Sequence, residues 1–249
     1  MINLKGLSLD VNNFLPENLQ IRLGYSIILA GGRALAMKPD DENLFLVGTE
    51  EGMIHLCTTE FSSKYLQSYA AHNTPIYTIM WNPFQPSVFI SCAAEWSIKI
   101  WDMNHSSPLY TFDVQSPAGD VAWAPYSSTT FAAVTFDGKV YVFDLHFDKY
   151  QPICVQSVVS KRKCKLNHIS FNPTSPILVI GDSKGDIHSL KLSPNLRRLS
   201  KEVKVATISK DLKRAGILEV KKLNDLLAHV RADSNEECFE NSDEFVEFQ

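Results

Sequence analysis

Residues 181–186 read Gly-Asp-Ser-Lys-Gly-Asp. The first five fit G-x-S-x-G, the strand-to-helix turn that presents a nucleophilic serine in many hydrolases. That reading needs a helix after Ser183, then an acid and a distant histidine. The next residues, Ile187-His188-Ser189-Leu190, alternate as a strand and open no helix. His188 is too near in sequence to be the distant partner, and His229 falls in a helical pattern. The same residues also fit a β-hairpin turn, and that reading repeats along the chain.

Four short phrases end in proline: Ala36-Met37-Lys38-Pro39, Met80-Trp81-Asn82-Pro83, Ala122-Trp123-Ala124-Pro125 and Ser170-Phe171-Asn172-Pro173. Their prolines are 44, 42 and 48 residues apart, near the roughly 40–45 residues of one four-stranded propeller blade. Each proline is followed by an apolar run, then a turn, then an alternating strand. The turns are GTEEG (48–52), AAEWS (93–97), TFDGK (135–139) and GDSKG (181–185). From proline to the end of that strand the counts are 18, 18, 18 and 17. In this register Ser183 falls on Glu50, Ala94 and Phe136. A nucleophile has no counterpart at those positions, whereas a turn does. Gly52, Gly138 and Gly185 are predicted to take positive φ in tight hairpins.

In Ile98-Lys99-Ile100-Trp101 the two isoleucines share one face, and Lys99 and Trp101 share the other. Bulk on both faces suits a blade packed between two neighbours. Proline has no N–H for a ladder and closes each inner strand. A fourth strand is expected after each unit, such as Leu109-Tyr110-Thr111-Phe112 and Ile153-Cys154-Val155-Gln156. The fold class is therefore all-β: a partial β-propeller with four clear blades, with residues 20–36 as candidate strands of a fifth.

Composition narrows the function. Of 249 residues, 45% are hydrophobic and 21% charged, with a net charge of −4, which gives no global attraction to nucleic acid. The apolar runs are too short to span a bilayer, and MINLKGLSLD lacks the pattern of a signal peptide. The five cysteines (57, 92, 154, 164 and 238) form no C-x-x-C pair, and the seven histidines are scattered. Free thiols in a cytosolic protein are expected, with no metal and no cofactor. No Walker A, G-x-G-x-x-G or H-E-x-x-H pattern occurs.

Unit two closes with Trp101-Asp102, and the array resembles WD40 repeats. In that family a histidine, a serine, an aspartate and the strand tryptophan are often joined by hydrogen bonds. The matching residues are His72, Ser91, Glu95 and Trp101. Glu95 stands where the family has Asp, a departure that bears on whether the network closes. Trp81, Pro83, Trp123, Pro125, Asp137 and Gly138 mark the same repeat, while Phe143 replaces the tryptophan of unit three. The phrases LFLVGTEEGMIHLC (44–57), AHNTPIYTIMWNPF (71–84), SIKIWD (97–102), GDVAWAPYSSTTFAAVTFDGKVYVFDL (119–145) and LKLSPNLRR (190–198) resemble the C-terminal half of axonemal dynein intermediate chains. GDVAWAPYSS is the part that generic WD40 repeats do not share. The resemblance implies a non-catalytic scaffold subunit of an outer-arm-type dynein in the axonemal cytoskeleton of cilia and flagella. The implied partners are the heavy-chain tail, a second intermediate chain and other axonemal subunits. Family members carry about seven blades, or about 300 residues, and an N-terminal arm for light chains. The chain is therefore expected to be a fragment, a short isoform or a truncated product.

The segment 191–222 holds ten Lys or Arg and three acidic residues. Ile217, Val220, Leu223, Leu227 and Val230, with Leu226 beside them, recur at helical steps. The expected plan is an extension over 1–19, blades over 20–205, a helix over 206–232 and a disordered acidic tail over 233–249. Three readings of the helix stay open: folded back on its own blades, docked on a partner through Leu223, Leu226 and Leu227, or, as the least of the three, binding nucleic acid. Lys161, Arg162 and Lys163 form a second candidate partner contact. The function classes are a WD-repeat scaffold, either the dynein subunit or another adaptor, and a serine hydrolase using Ser183.

Overall fold

The computed structural model describes residues 31–60, 65–159, 164–197, 201–208 and 212–243. The described strands form four antiparallel sheets. The first holds β1 (Gly32–Lys38), β2 (Asp41–Thr49), β3 (Met53–Thr58) and β4 (Gln67–Ala70). The second holds β5 (Ile76–Trp81), β6 (Val88–Ala93), β7 (Ser97–Asp102) and β8 (Tyr110–Asp113). The third holds β9 (Ala118–Trp123), β10 (Thr130–Thr135), β11 (Lys139–Asp144) and β12 (Cys154–Ser157). The fourth has β13 (Leu166–Phe171), β14 (Ile177–Asp182) and β15 (Ile187–Lys191). The inner strands β1, β5, β9 and β13 lie beside one another in chain order, so the sheets are successive blades of a propeller.

The expected hairpin register holds in every blade. The partners that flank the turns are Gly48↔Ile54, Cys92↔Ile98, Val134↔Val140 and Gly181↔Ile187. Gly52, Gly138 and Gly185 take φ of 87°, 83° and 89°. A Cβ on Gly52 would lie 2.0 Å from the His72 carbonyl oxygen, so no larger residue fits. In the second blade the same position is held by Trp96, at φ 74°.

Three clusters fill the spaces between blades. Ile98 and Ile100 join Phe112, Trp123 and Phe131 between blades 2 and 3. Trp101 and Phe89 face the other way, toward Leu46, Ile54 and Tyr69 of blade 1. In β10, Phe131 and Ala133 pack toward blade 2, while Ala132 and Val134 pack toward blade 4. Bulk on both faces is thus the signature of a strand buried between two sheets. The repeat tryptophans also fasten neighbouring blades. Trp81 Nε1–H donates to Ala36 O at 3.1 Å, and Trp123 Nε1–H donates to Met80 O at 3.3 Å. Phe171, at the same place in blade 4, has no N–H to give and meets Tyr126 edge-on at 6.1 Å.

Some expectations need correction. Blade 4 has no fourth strand among the described residues; after β15 come a 3-10 turn at Pro194–Arg197 and two helices. Its loop from inner strand to β14 is one residue shorter. Asn172 N–H bonds to Ile177 O, whereas Asn82 bonds to Val88 O and Ala124 to Thr130 O. The shorter loop accounts for the count of 17. Helix α1 covers Lys201–Ile208 and α2 covers Leu212–Asp243. The helical region therefore starts before 206 and runs past 232, through much of the expected acidic tail. The candidate fifth-blade strands up to residue 30 lie outside the described residues.

Candidate interaction surfaces

Behind the blade 2 hairpin, the four matched residues form one continuous network. Trp101 Nε1–H can only donate, and it reaches Ser91 Oγ at 3.0 Å. Ser91 Oγ lies 2.8 Å from His72 Nε2. His72 Nδ1 lies 2.7 Å from Glu95 Oε1, which can only accept. The indole donor and the carboxylate acceptor set the direction: Ser91 O–H donates to Nε2, and Nδ1 carries the imidazole proton. Burial lowers the His72 pKa and outweighs the opposing hydrogen bond to Glu95, so the ring is neutral. Burial acts to raise the Glu95 pKa, but bonds from Ser97 Oγ, Asn73 N–H and His72 bring it down to about 2. The extra methylene of Glu95 thus does not open the network. Sequence reasoning missed Ser97, Asn73 and Lys99, whose Nζ donates to Ala71 O at 2.5 Å. The only signal for Ser97 was a hydroxyl two residues after the acid.

Other repeat residues do structural work at blade ends. Asp144 Oδ1 accepts from Thr129 Oγ1 at 2.7 Å and from His146 N–H at 3.1 Å. Asp137 accepts from Thr135 Oγ1 and pairs with Lys139 at 2.6 Å. Pro83 and Pro125 follow the inner strands in turns, as expected.

Among the readings of the helix, the structure favours the intramolecular one. Leu223 and Leu227 are fully buried in the core shared by blades 2 and 3, with Leu226 and Val230 packed at its margin. This corrects the reading of Leu223, Leu226 and Leu227 as partner contacts: their apolar stripe is already covered. Polar contacts fix the docking. Ser128 N–H donates to the buried Glu219 Oε2 at 2.8 Å, and the Ser128 hydroxyl lies 2.8 Å from Glu219 O. Arg231 Nη2 is 2.5 Å from Asp102 Oδ2, so the repeat aspartate of blade 2 also anchors α2. Ser128 ends the GDVAWAPYSS phrase.

Ser183 lies exposed in the turn between β14 and β15, as the repeat register predicted. Its Oγ accepts from Lys165 N–H at 3.2 Å, and His188 is directed instead to Asp182, at 3.5 Å. A strand, not a helix, follows it. Cys57, Cys92, Cys154 and Cys164 are free thiols. Burial raises the Cys57 thiol pKa to about 11. Among the described residues no group of His, Cys, Asp or Glu is placed to hold a metal ion, and no helix is long and apolar enough to cross a membrane. Lys161, Arg162 and Lys163 lie outside the described residues.

The WD40 family model (WD domain, G-beta repeat) matches residues 63–102, the stretch that carries the His72–Ser91–Glu95–Trp101 network. The chain is 52% identical over 204 residues to dynein intermediate chain 2, ciliary, of Heliocidaris crassispina, covering 82% of this chain and 28% of that protein. It is 44% identical over 232 residues to dynein axonemal intermediate chain 1 of Bos taurus, covering 93% and 32% respectively. It is 43% identical over 192 residues to the 78 kDa flagellar outer arm dynein intermediate chain of Chlamydomonas reinhardtii, covering 75% and 28%. The chain therefore spans about three-tenths of the length of these curated relatives. The ciliary, axonemal and flagellar relatives place the family in the axonemal cytoskeleton. By its blades, its repeat match and these relatives, the chain is a homologue of the axonemal dynein intermediate chains and corresponds to their WD-repeat portion.

Proposed function

We propose that the chain is a non-catalytic scaffold subunit of an axonemal dynein of the outer-arm type. Its blades would hold the tail of a motor heavy chain beside a second intermediate chain, and so support ciliary and flagellar motility. The observation that carries this reading is 52% identity across 82% of the chain to a ciliary dynein intermediate chain. The interior supports it: the histidine, serine and carboxylate of blade 2 are turned inward and joined to one another. Ser183 sits in a hairpin and not at a nucleophile elbow, which removes the geometric basis of the hydrolase reading. The test is co-sedimentation with axonemes together with capture by a recombinant heavy-chain tail. Binding to both is the expected result. Absence of both, with folded blades confirmed by circular dichroism, favours another WD-repeat adaptor. Loss of generic ester hydrolysis on Ser183→Ala would overturn the scaffold reading itself.

A further inference from the structure

Among the described residues, two other than glycine take left-handed backbone: Trp96 at φ 74° and Gln115 at φ 57°. They are neighbours. Val114 N–H donates to Trp96 O at 3.0 Å, next to the ladder pair Ser97↔Asp113. A bulky side chain is disfavoured in this conformation because its Cβ crowds a carbonyl oxygen, and the other three blades use glycine at this hairpin position. Packing does not account for the exception. Trp96 is 51% exposed, while Trp81, Trp101 and Trp123 are buried. A strained, exposed aromatic on a rigid support is what a binding anchor looks like. The support is the network behind it, in which Glu95, the residue before Trp96, is held by His72, Ser97 and Asn73.

The chemistry at the same end of the β7–β8 ladder selects the ligand. Asp113 is exposed, and its Oδ1 accepts Gln115 N–H at 2.8 Å. Its Oδ2 makes no hydrogen bond or ion pair among the described residues. Lys99, the cation nearest in sequence, is held by Ala71 O and by Glu95 at 3.6 Å. The Val114 N–H···Trp96 O bond and the Ser97↔Asp113 pair put Trp96 and Asp113 at one end of the β7–β8 ladder, and an indole and a carboxylate together receive a guanidinium, by cation–π contact and by charge-assisted hydrogen bonding. We propose that Trp96 and Asp113 form a binding site for an arginine side chain on a basic segment of a protein partner. The site does not depend on the dynein reading.

Intrinsic fluorescence tests this directly, because one of the four tryptophans is exposed. Titration of the full chain with a hexa-arginine peptide should give a saturable change in tryptophan emission, and hexa-glutamate should give none. Asp113→Asn should weaken hexa-arginine binding by about tenfold with an unchanged unfolding midpoint. Trp96→Gly should abolish the emission change and the heat of binding while raising the unfolding midpoint, which separates loss of the site from loss of the fold. No saturable response at about 1 mM peptide in low salt, an equal response to hexa-glutamate, or full binding in Asp113→Asn would each overturn the proposal.

Discussion

Ser91 is the residue through which the polar interior of blade 2 is satisfied. It accepts from Trp101 and donates to His72 with one hydroxyl. Ser91→Ala leaves a buried indole N–H and a buried imidazole nitrogen unpaired, and is expected to cost about 2–4 kcal/mol, read as a lower urea midpoint with an unchanged slope. Trp96→Gly is expected to stabilise by about 1–2 kcal/mol through release of the left-handed strain. Protonation acts at the same scale. Burial depresses His55 from 6.5 to about 4, and His72 is lowered by burial as well. Both are neutral when folded, so below about pH 6.5 the unfolded chain binds protons that the folded chain does not. Stability is therefore full above about 6.5 and falls as the pH drops toward 4. Glu95, lowered from 4.5 to about 2, adds a second loss between those values. Urea midpoints that stayed constant from pH 7.5 to 4.5 would contradict this. His72, Ser91 and Trp101 were legible as a pattern of spaced residue types. Trp96 was legible only through the repeat register, as the residue at the glycine position of the other three hairpins; its exposure was not.

At the scale of elements, the hairpins were readable and the helix only in part. Ser183 could be assigned to a turn because three other blades supplied the register, and Ser183→Ala is expected to change stability by less than about 0.5 kcal/mol. The leucines of α2 gave its period, but periodicity does not say what an apolar stripe covers. Its surface is supplied by Ser128 and Asp102, which are distant in sequence. Leu227→Ala is expected to cost about 2–5 kcal/mol, as in other cores, measured by thermal or urea unfolding; a near-neutral result would place α2 off the blades. The end of the helix is hidden because an acidic stretch without Pro or Gly, as between 217 and 243, suits a solvated tail and a helix alike.

At the scale of the molecule, the proline period was enough to number and order the blades. It could not show that blade 4 has three strands among the described residues, since repetition itself suggested a fourth. The first and last described blades carry exposed apolar side chains: Leu35 and Met37 on β1, and Val179 and Ile187 on blade 4, with Ile187 76% exposed. The outer edge of β15 has no partner strand among the described residues. Unpaired edges beside apolar groups favour association between chains. Ile187→Lys is therefore expected to reduce concentration-dependent light scattering without lowering the unfolding midpoint. Equal scattering in the variant would place the sticky surface elsewhere.

The return of α2 to blades 2 and 3 also has a mechanical consequence. Blade 4 lies in the chain between β12 and the helices, and its boundary with blade 3 lacks the indole fastener because Phe171 replaces tryptophan. A load applied at the C-terminal end reaches the Arg231–Asp102 and Glu219–Ser128 contacts before it reaches blade 4. The helix thus acts as a strain relief, passing tension to blades 2 and 3 and sparing the seam between blades 3 and 4.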